Sequence, residues 1–336
     1  MAFLSDDPAY KPERPVFASI LANTALSGIP GISGAGAGPE MTFYTPILDA
    51  ELIVEGAITS MPIRPDTPTG CPTPASITRA MMGLTGLAPL FVNAGLRHPP
   101  TIPTYHLNGH PGADPRNGDA VPDAGILYSR GERLGSFLSC LSDMLVIGEC
   151  VPGGTTTALC VLRALGYPAR VSSSFVDNPH SEKEEIAAAV LQNVQTGAIT
   201  RPLDIIRAAG DPMMAAAAGM IAGFSGRIIL AGGTQMLAVA SVAKALDLRM
   251  PAIATTVYVR DDRSANFSEI ARDIGIETIY VDPDFGALAH AGLARYCIGE
   301  VKEGMGAGGA MYLAHALGYS PSEIKDAIFR TISAYS

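Results

Sequence analysis

The stretch Met144–Leu165 reads MLVIGECVPGGTTTALCVLRAL and decides the fold class. Met144–Ile147 is a short apolar run of the kind that forms one buried strand. The segment Gly148–Gly154 cannot extend a strand or a helix, and Thr155 opens an apolar helix that ends before Gly166. A glycine just after the last helical residue is the expected stop. The stretch therefore predicts a strand, a glycine loop and a helix N-terminus, where free N–H groups and the helix dipole can hold a phosphate.

The glycine loop falls short of the nucleotide-binding P-loop, Gly-x4-Gly-Lys-[Ser/Thr]. Gly148, Gly153 and Thr155 match that pattern, but Gly154 stands where the lysine belongs. Without the lysine, the interpretation as a site for β- and γ-phosphates fails. Glu149 argues the same way, because a carboxylate beside a triphosphate would repel it. A monophosphate held by neutral N–H groups and hydroxyls remains open, as does an ordinary βα turn with a threonine cap.

Composition and charge exclude several classes of protein. The 336 residues are 48% hydrophobic and 16% charged, which allows a large core. The net charge of −9 argues against nucleic acid as a main partner. The longest apolar run, Pro212–Phe224, is too short to span a membrane, since a spanning helix needs roughly 20 apolar residues. The N-terminus lacks the pattern of a signal peptide, so we expect a cytoplasmic protein without a membrane partner.

The cysteines and histidines do not form a metal-binding pattern. The cysteines lack Cys-x2-Cys spacing and indicate reduced, mostly buried thiols. Three histidines, His98, His106 and His110, fall in the irregular segment 98–121, which has no acidic cluster to complete a ligand set. We therefore predict no metal site. A loop of this length is usually functional, for example as a lid or a substrate wall.

From residue 144 onward, apolar runs alternate with helical patterns. The predicted strands are 144–147, 169–175, 227–230, 252–259, 278–281 and 296–298. The predicted helices are 156–165, 181–195, 212–223, 234–246 and 264–274. Strands that alternate with helices indicate βαβ units and a parallel sheet. In such a sheet, ligands bind beyond the carboxyl ends of the strands.

The rest of the chain is less regular. The predicted helices are Phe17–Leu26, Ser76–Met82, Leu134–Leu141, Ala310–Leu317 and Ser322–Ser333, and the predicted strands are Ala50–Ile58 and Leu90–Asn93. We expect Gly28–Gly38 to be a flexible loop without a dinucleotide site, because no predicted strand precedes it. The C-terminal helices should form a small helical domain with the N-terminal helix.

Two further glycine loops carry residues of interest. Gly232, Gly233 and Thr234 follow a predicted strand and open an Ala-rich helix, as in the first loop. Two such loops at one sheet edge favour an anion site, although two ordinary turns remain the alternative. The third loop contains a weak Gly-x-Gly-x-x-Gly match, but too little chain follows it for a second βαβ half. Its distinctive feature is a carboxylate, Glu303, at its start.

Together these segments resemble the nicotinate-nucleotide:dimethylbenzimidazole phosphoribosyltransferase family, in a divergent, archaeal-type branch. The family pattern Gly-Glu-Met-Gly-x-Gly-Asn-Thr-Thr is similar to Gly148–Thr156, and Glu-Gly-x-Gly-Ala is similar to Glu303–Ala307. Two departures stand out: Asn93–Leu96 replaces the bacterial Ala-Gly-Asp-His-Gly segment, and Gly154 replaces Asn. The resemblance therefore leaves the acceptor base open.

The resemblance implies a pentosyltransferase that moves phosphoribose from nicotinate mononucleotide to an aromatic base, such as 5,6-dimethylbenzimidazole. The product would be the α-ribazole-type phosphate of a cobalamin lower ligand. Glu303 would be the general base and Glu149 a second active-site glutamate. The phosphate would lie on the two glycine loops, at Gly153, Gly154, Thr155 and Thr156 and at Gly232, Gly233 and Thr234. No metal or organic cofactor is implied.

For the fold, the resemblance implies an α/β protein that forms a homodimer. A Rossmann-like domain of residues 86–303 would hold a parallel sheet with helices on both faces, and residues 1–85 and 304–336 would form the small helical domain. Two alternatives remain. A non-catalytic nucleotide- or phosphosugar-binding protein would keep the loops without using the glutamates, and a dinucleotide-dependent oxidoreductase would need the third loop on a strand–helix turn.

Overall fold

One parallel sheet organises the chain, of which the computed structural model describes residues 2–8, 10–36 and 38–334. Its strands are β1 (Pro15–Ala22), β2 (Leu90–Gly95), β3 (Tyr105–His106), β4 (Met144–Cys150), β5 (Arg227–Ala231), β6 (Ala252–Thr256) and β7 (Thr278–Val281). They lie in the order β3-β2-β1-β4-β5-β6-β7. The chain builds the sheet outward in opposite directions from β1 and from β4. The strand order therefore reverses between β1 and β4, and ligands of open α/β sheets bind at such a point.

Helices cover both faces of this sheet. In the described residues they are α1 (Pro39–Thr42), α2 (Thr45–Glu55), α3 (Pro74–Thr85), α4 (Ala124–Ser139), α5 (Gly154–Ala164), α6 (His180–Thr196), α7 (Pro202–Ala209), α8 (Pro212–Gly223), α9 (Thr234–Ala245), α10 (Val257–Arg260), α11 (Phe267–Ile274), α12 (Ala291–Ala294), α13 (Ala307–Ala316) and α14 (Pro321–Ser333). The predicted α/β class and the parallel sheet with helices on both faces are confirmed. Across the described ranges, no helix combines the length and the apolar character that a membrane crossing requires.

The central strand β4 is buried on both faces. Leu145 and Ile147 belong to the core under α4–α9 and α11, and Met144 and Val146 belong to the core under α2, α3, α13 and α14. Successive side chains of a strand point to opposite faces, so a continuous apolar run fits a strand covered twice. Residues 144–147 are therefore all apolar because helices cover this strand on both faces.

Helices from both ends of the chain form the layer on one face. Helix α3 packs against α13 and α14, and α13 also contacts β4, β5 and β6. Strand β1, from the same N-terminal segment as α3, lies in the middle of the sheet. Helix α13 therefore lies directly on the sheet, and α3 and α14 pack against it. The division into residues 1–85, 86–303 and 304–336 stays a prediction.

Two predictions in the N-terminal segment are wrong. Phe17–Leu26 was expected to be helical, but Phe17 pairs with Val146 of β4 and Ala18 with Leu90 of β2. Pairing on both sides makes the run a strand as far as Ala22, because tertiary pairing overrides local helix propensity, and its last residues belong to the 3₁₀ helix Ala25–Gly28. A strand therefore does precede Gly28–Gly38, of which Ala37 lies outside the described residues. Ala50–Ile58 was expected to be a strand, yet its first residues belong to α2, which packs on α3.

Three predicted strands after residue 144 also differ from the structure. Ala169–Phe175 forms no strand, because side chains from other elements bind its carbonyl groups in place of a neighbouring strand. The strand predicted over Ala252–Val259 ends at Thr256, where α10 begins. Tyr296–Ile298 belongs to a 3₁₀ helix. Short apolar runs do not distinguish these outcomes, because periodicity alone cannot separate a short strand from a turn of helix.

Candidate active site

A cavity of about 950 Å³ lies beyond the carboxyl ends of β4 and β5. Glu149 and Glu303 both line it, together with parts of the first two glycine loops and Ser172–Ser174. This is the sheet edge next to the reversal of strand order. The topology thus brings together residues that lie far apart in the sequence.

The first glycine loop ends β4 and starts α5. Gly153 caps the helix with a φ of +80°, a left-handed conformation that favours glycine. Gly154 is confined as well, because a Cβ atom there would lie 1.8 Å from Oε1 of Gln235. Gly153 and Thr155 line the cavity, whereas Thr156 is buried behind them. The first turn of α5 therefore borders the cavity.

The second glycine loop places a second helix N-terminus at the same cavity. Helix α9 begins at Thr234, and Gly233 and Thr234 line the cavity. The Thr234 hydroxyl donates a hydrogen bond of 3.0 Å to the carbonyl oxygen of Ser172. Gly232 lies behind this surface, where a Cβ atom would be 3.8 Å from Oε1 of Glu149. Helices α5 and α9 pack side by side, so two positive dipole ends meet at one surface.

A buried lysine that the sequence analysis missed reaches the first helix N-terminus. Lys183 of α6 is fully buried, and its Nζ atom donates hydrogen bonds to the hydroxyls of Thr155, at 2.8 Å, and of Ser173. Burial, and next the neighbouring charge of Lys302, lower the pKa of Lys183 to about 7. A lysine from another helix therefore lies next to the N-terminus of α5.

A second lysine, Lys302, holds the segment between the two helix N-termini. Its Nζ atom donates to the carbonyl oxygens of Ser173, at 2.6 Å, and Phe175, at 2.8 Å, and lies 3.1 Å from Asp262. Burial lowers the pKa of Lys302, and the Asp262 carboxylate opposes this effect. Asp262 also accepts a hydrogen bond of 2.6 Å from the Ser172 hydroxyl. The serine-rich segment 172–174 is therefore fixed against the cavity by charged partners.

Glu149 lies near the end of β4 and is buried. Its Oε2 atom accepts a hydrogen bond of 3.0 Å from the N–H of Val151. Burial, assisted by the charges of Asp211 and Glu303, raises the pKa of Glu149 to about 8. The hydrogen bonds from Val151 and from the Gln235 side chain act in the opposite direction. Near neutral pH, this glutamate is therefore largely protonated.

Glu303 lies between the cavity and the first turn of α13. Its Oε1 atom accepts a hydrogen bond of 2.9 Å from the N–H of Gly308, and its Oε2 atom accepts one of 3.2 Å from the N–H of Gly304. Burial raises the pKa of Glu303 to about 8 despite these two donors. A carboxyl group with a pKa this close to neutral pH can exchange a proton with a ligand.

Close backbone contacts hold the two glutamates at one place. The N–H of Met305 donates a hydrogen bond of 3.1 Å to the carbonyl oxygen of Glu149. A Cβ atom on Gly306, whose φ is +74°, would lie 3.1 Å from the Cα atom of Gly148. The third glycine loop therefore packs directly against the end of β4, and its glycines allow this approach.

Two further buried carboxyl groups were missed by the sequence analysis. Asp211 caps α8, accepts a hydrogen bond of 2.6 Å from the Thr157 hydroxyl, and has a pKa that burial raises to about 6. Asp49 of α2 lines the cavity, and burial raises its pKa to about 7. The sequence signal for Asp211 is its position before Pro212, which is typical of an N-cap. Asp49 carries no such signal.

The three histidines of segment 98–121 do not converge. His98 stacks on Tyr44 with 4.1 Å between ring centroids, and His110 lies 3.3 Å from Asp123. Within the described ranges, no group of three or more His, Cys, Asp and Glu side chains is arranged as metal ligands. None of residues 98–121 lines the cavity, so the segment is not the wall of this site.

Comparison with known proteins identifies relatives and a shared fold. No protein-family model matches the chain. A UPF0284 protein of Methanosarcina acetivorans is 42% identical over 98% of this chain and 97% of its own length. UPF0284 proteins of Methanothermobacter thermautotrophicus and Thermococcus onnurineus are each 44% identical over 93% of this chain, and over 91% and 96% of their own lengths.

Two solved structures from Thermus thermophilus have a similar fold. One is a nicotinate-nucleotide-dimethylbenzimidazole phosphoribosyltransferase, with a TM-score of 0.58 and 14% identity over 96% of this chain and 84% of that one. The other is CobT, with a TM-score of 0.59 and 15% identity over 96% and 85%. These scores confirm that the chain has the fold that the resemblance implied. At 42–44% identity over nearly its whole length, the chain belongs to the UPF0284 family.

Proposed function

We propose that the protein transfers phosphoribose from nicotinate mononucleotide to an aromatic base. The product would be an α-ribazole-type phosphate, from which the lower ligand of cobalamin or a related cobamide is assembled. One observation carries the proposal: a single cavity joins two glutamates of raised pKa to two helix N-termini, and the threonine at the first N-terminus is bound from behind by a buried lysine. The fold shared with the Thermus thermophilus phosphoribosyltransferase supports it.

The 5′-phosphate of the donor belongs at the N-termini of α5 and α9. N–H groups at two helix starts would bind its oxygens at the positions that line the cavity: Gly153, Thr155, Gly233 and Thr234. Gly154, Thr156 and Gly232 would shape the two loops from behind, because their N–H groups donate to carbonyl oxygens of the chain. Lys183 lies directly behind Thr155 and would offset the charge of the dianion. This arrangement also accounts for the absence of the P-loop lysine, because the lysine from α6 takes its place.

The chemistry is a substitution at C1′ of the ribose. A ring nitrogen of the base attacks C1′ with its lone pair, and the bond between C1′ and the nicotinate nitrogen breaks. Nicotinate leaves with that electron pair, and attack from the opposite face converts the β linkage into an α linkage. The attacking azole then loses its remaining N–H proton to Glu303. Glu149, across the third glycine loop, orients the ligand.

The proposed reaction needs only the protein and its two substrates. No metal and no organic cofactor takes part, since the carboxylate accepts the proton and nicotinate is a stable leaving group. The partners are the two small-molecule substrates, without nucleic acid or membrane. We further propose that the protein acts in the cytoplasm as a homodimer.

The decisive experiment is an assay of the purified protein with nicotinate mononucleotide and a panel of benzimidazoles, purines and phenols. We expect release of nicotinate in a one-to-one ratio with an α-nucleotide, both measured by liquid chromatography and mass spectrometry. The Glu303→Gln variant is the matched control, because it should bind the donor and form little product. If the protein binds nicotinate mononucleotide but releases no nicotinate from it with any base, a non-catalytic nucleotide-binding protein would be favoured instead.

A further inference from the structure

Apolar side chains form part of the cavity lining. Five of them come from α1, α2, the segment after α2 and the start of α3: Met41, Leu48, Ile58, Ile63 and Pro74. A flat aromatic ring fits such a surface, because burying its faces against apolar side chains is favourable. Two carboxyl groups lie beside these side chains, those of Asp49 and Asp66, and Asp66 forms an ion pair of 3.3 Å with Arg64.

One carboxylate oxygen of Asp49 lacks a strong hydrogen-bond donor. Its Oδ1 atom accepts a hydrogen bond of 3.0 Å from the Thr73 hydroxyl. In the described part of the chain, the partner found for Oδ2 is the thiol of Cys150, at 3.9 Å, which is a weak donor. Asp49 is only 8% exposed, so water cannot fully replace the missing donor. Buried polar groups normally have good partners, and this oxygen, held by a weak thiol donor, can accept a stronger hydrogen bond from a ligand.

Asp49 and Glu303 are joined by one continuous piece of the cavity wall. Asp49 binds Thr73, and the next residue, Pro74, packs on the loop of Glu303: a Cβ atom on Gly304 would lie 3.3 Å from its Cγ atom. A base whose ring nitrogen faces Glu303 would therefore lie along Pro74. Its opposite edge would point towards Asp49.

We infer that Asp49 selects the acceptor base by accepting a hydrogen bond from an amino or hydroxyl group on the ring edge opposite the attacking nitrogen. The inference rests on the proposed function. The preferred substrates are then fused azoles that carry such a donor, including aminopurines. Bases that present only methyl groups at this edge would leave Asp49 without a partner, and an unpaired buried carboxylate disfavours binding.

Matched pairs of bases test the inference, because an amino group and a methyl group have nearly the same size. The pairs are 5-aminobenzimidazole with 5-methylbenzimidazole, and adenine with 6-methylpurine. In the wild type, we expect kcat/KM to favour the amino member by about 10- to 100-fold, the usual effect of a hydrogen bond to a charged group. In Asp49→Leu the preference should reverse, since the apolar side chain favours the methyl group. In Asp49→Asn the ratio of kcat/KM for the amino base to that for the methyl base should fall towards one.

A purely structural role of Asp49 predicts a different result. Loss of the link between α2 and Thr73 would lower kcat/KM for both members of a pair alike and leave their ratio unchanged. Glu51→Gln is the control, because Glu51 is also a buried carboxylate of α2 but binds Thr59 and Ser60 outside the cavity. It should lower thermal stability without changing the ratio.

Equilibrium binding of the same bases, measured by calorimetry, separates this inference from the proposed reaction. A binding preference for the amino bases that Asp49→Leu abolishes would support the inference even if no base reacts, and only the proposed reaction would then fail. Equal binding and equal turnover of both members in the wild type would overturn the inference, as would a ratio that both Asp49 variants retain.

Discussion

The Oε1 atom of Glu303 lies 2.9 Å from the backbone nitrogen of Gly308 and accepts its hydrogen bond. The same side chain lines the cavity and has a pKa that burial raises to about 8. A carboxylate at this position favours the start of α13 electrostatically, so a helix cap alone would explain the contact. Capping and proton transfer make different predictions for the same substitution.

The Glu303→Gln variant should bind both substrates nearly as the wild type does and lose most turnover. Gln retains an oxygen that can accept from Gly308 but cannot take the azole proton. General-base catalysis is typically worth about 10²–10⁴-fold, so kcat should fall by this factor while KM changes little. If Glu303 is only a cap, Gln would cost about 1 kcal/mol of stability and steady-state kinetics would return the wild-type kcat.

The Glu149→Gln variant should impair binding and turnover more evenly. Its amide can keep the hydrogen bond from Val151 only by presenting an altered group to the ligand. We expect kcat to fall and KM for nicotinate mononucleotide to rise, both about tenfold, as for the loss of one hydrogen bond of about 1.4 kcal/mol. Glu185→Gln, at an exposed site on α6, is the control. A change confined to kcat would show that Glu149 acts in proton transfer and not in orientation.

The Lys183→Met variant should weaken binding of the donor phosphate. Met has a similar length and fills the same buried space but carries no charge. We expect KM for nicotinate mononucleotide to rise about 10- to 100-fold, with little change for the base. Lys325→Met, which removes an ion pair with Asp284 on the surface, should leave KM unchanged. A ligand-bound structure with the phosphate on Arg260 and Arg263 would contradict the predicted site.

Turnover should increase with pH through about 8. Glu303 accepts a proton only when ionised, and its pKa of about 8 keeps much of it protonated at pH 7. Lys183, with a pKa of about 7 in the empty site, loses its charge above this pH, so KM for the donor should rise on the alkaline side. Profiles of kcat and KM between about pH 6 and about pH 9.5 test both expectations. The profile of kcat reports ionisations in the substrate complex and so tests Glu303, and the profile of KM tests Lys183. A flat kcat over this interval would exclude Glu303 as the base.

Removal of metal ions should not affect the reaction. We expect the same rate of α-nucleotide formation before and after dialysis against a strong chelator, since the proposed steps use only protein side chains. The control is a metal-dependent transferase treated in parallel. A large loss of turnover that one added metal restores would show that the reaction needs this metal.

The regular part of the fold could be predicted from local patterns. Helix α8 and strand β7 have the predicted bounds, because an Asp-Pro start marks the helix and an apolar run between polar residues marks the strand. Strand β1 could not be predicted in this way. Its run PVFASILA has no alternation, and what makes it a strand is pairing with β2 and β4, whose residues lie far along the chain.

The candidate site was predictable to a similar extent. The glycine loops and both glutamates could be recognised because each lies at the start of a helical pattern. Lys183 could not be, because Glu182 and Glu184 on either side give its segment the character of an exposed helix face. Its Nζ atom is nevertheless directed inwards to Thr155. Asp49 was missed for a related reason: its surroundings in α2 are apolar, and the cavity beside it forms only when α2 packs on α3.

The hydrogen bond from Met305 to Glu149 has a consequence for how the chain acquires its site during synthesis. The first two glycine loops are made before residue 235, but Glu303 can reach Glu149 only after residue 305 has left the ribosome. Until then, Val146 and Ala231 lack the cover of α13. Partly made chains of this kind expose apolar sheet surface and are prone to aggregation. When the C-terminal segment folds, it therefore covers the exposed sheet surface and at the same time brings Glu303 next to Glu149.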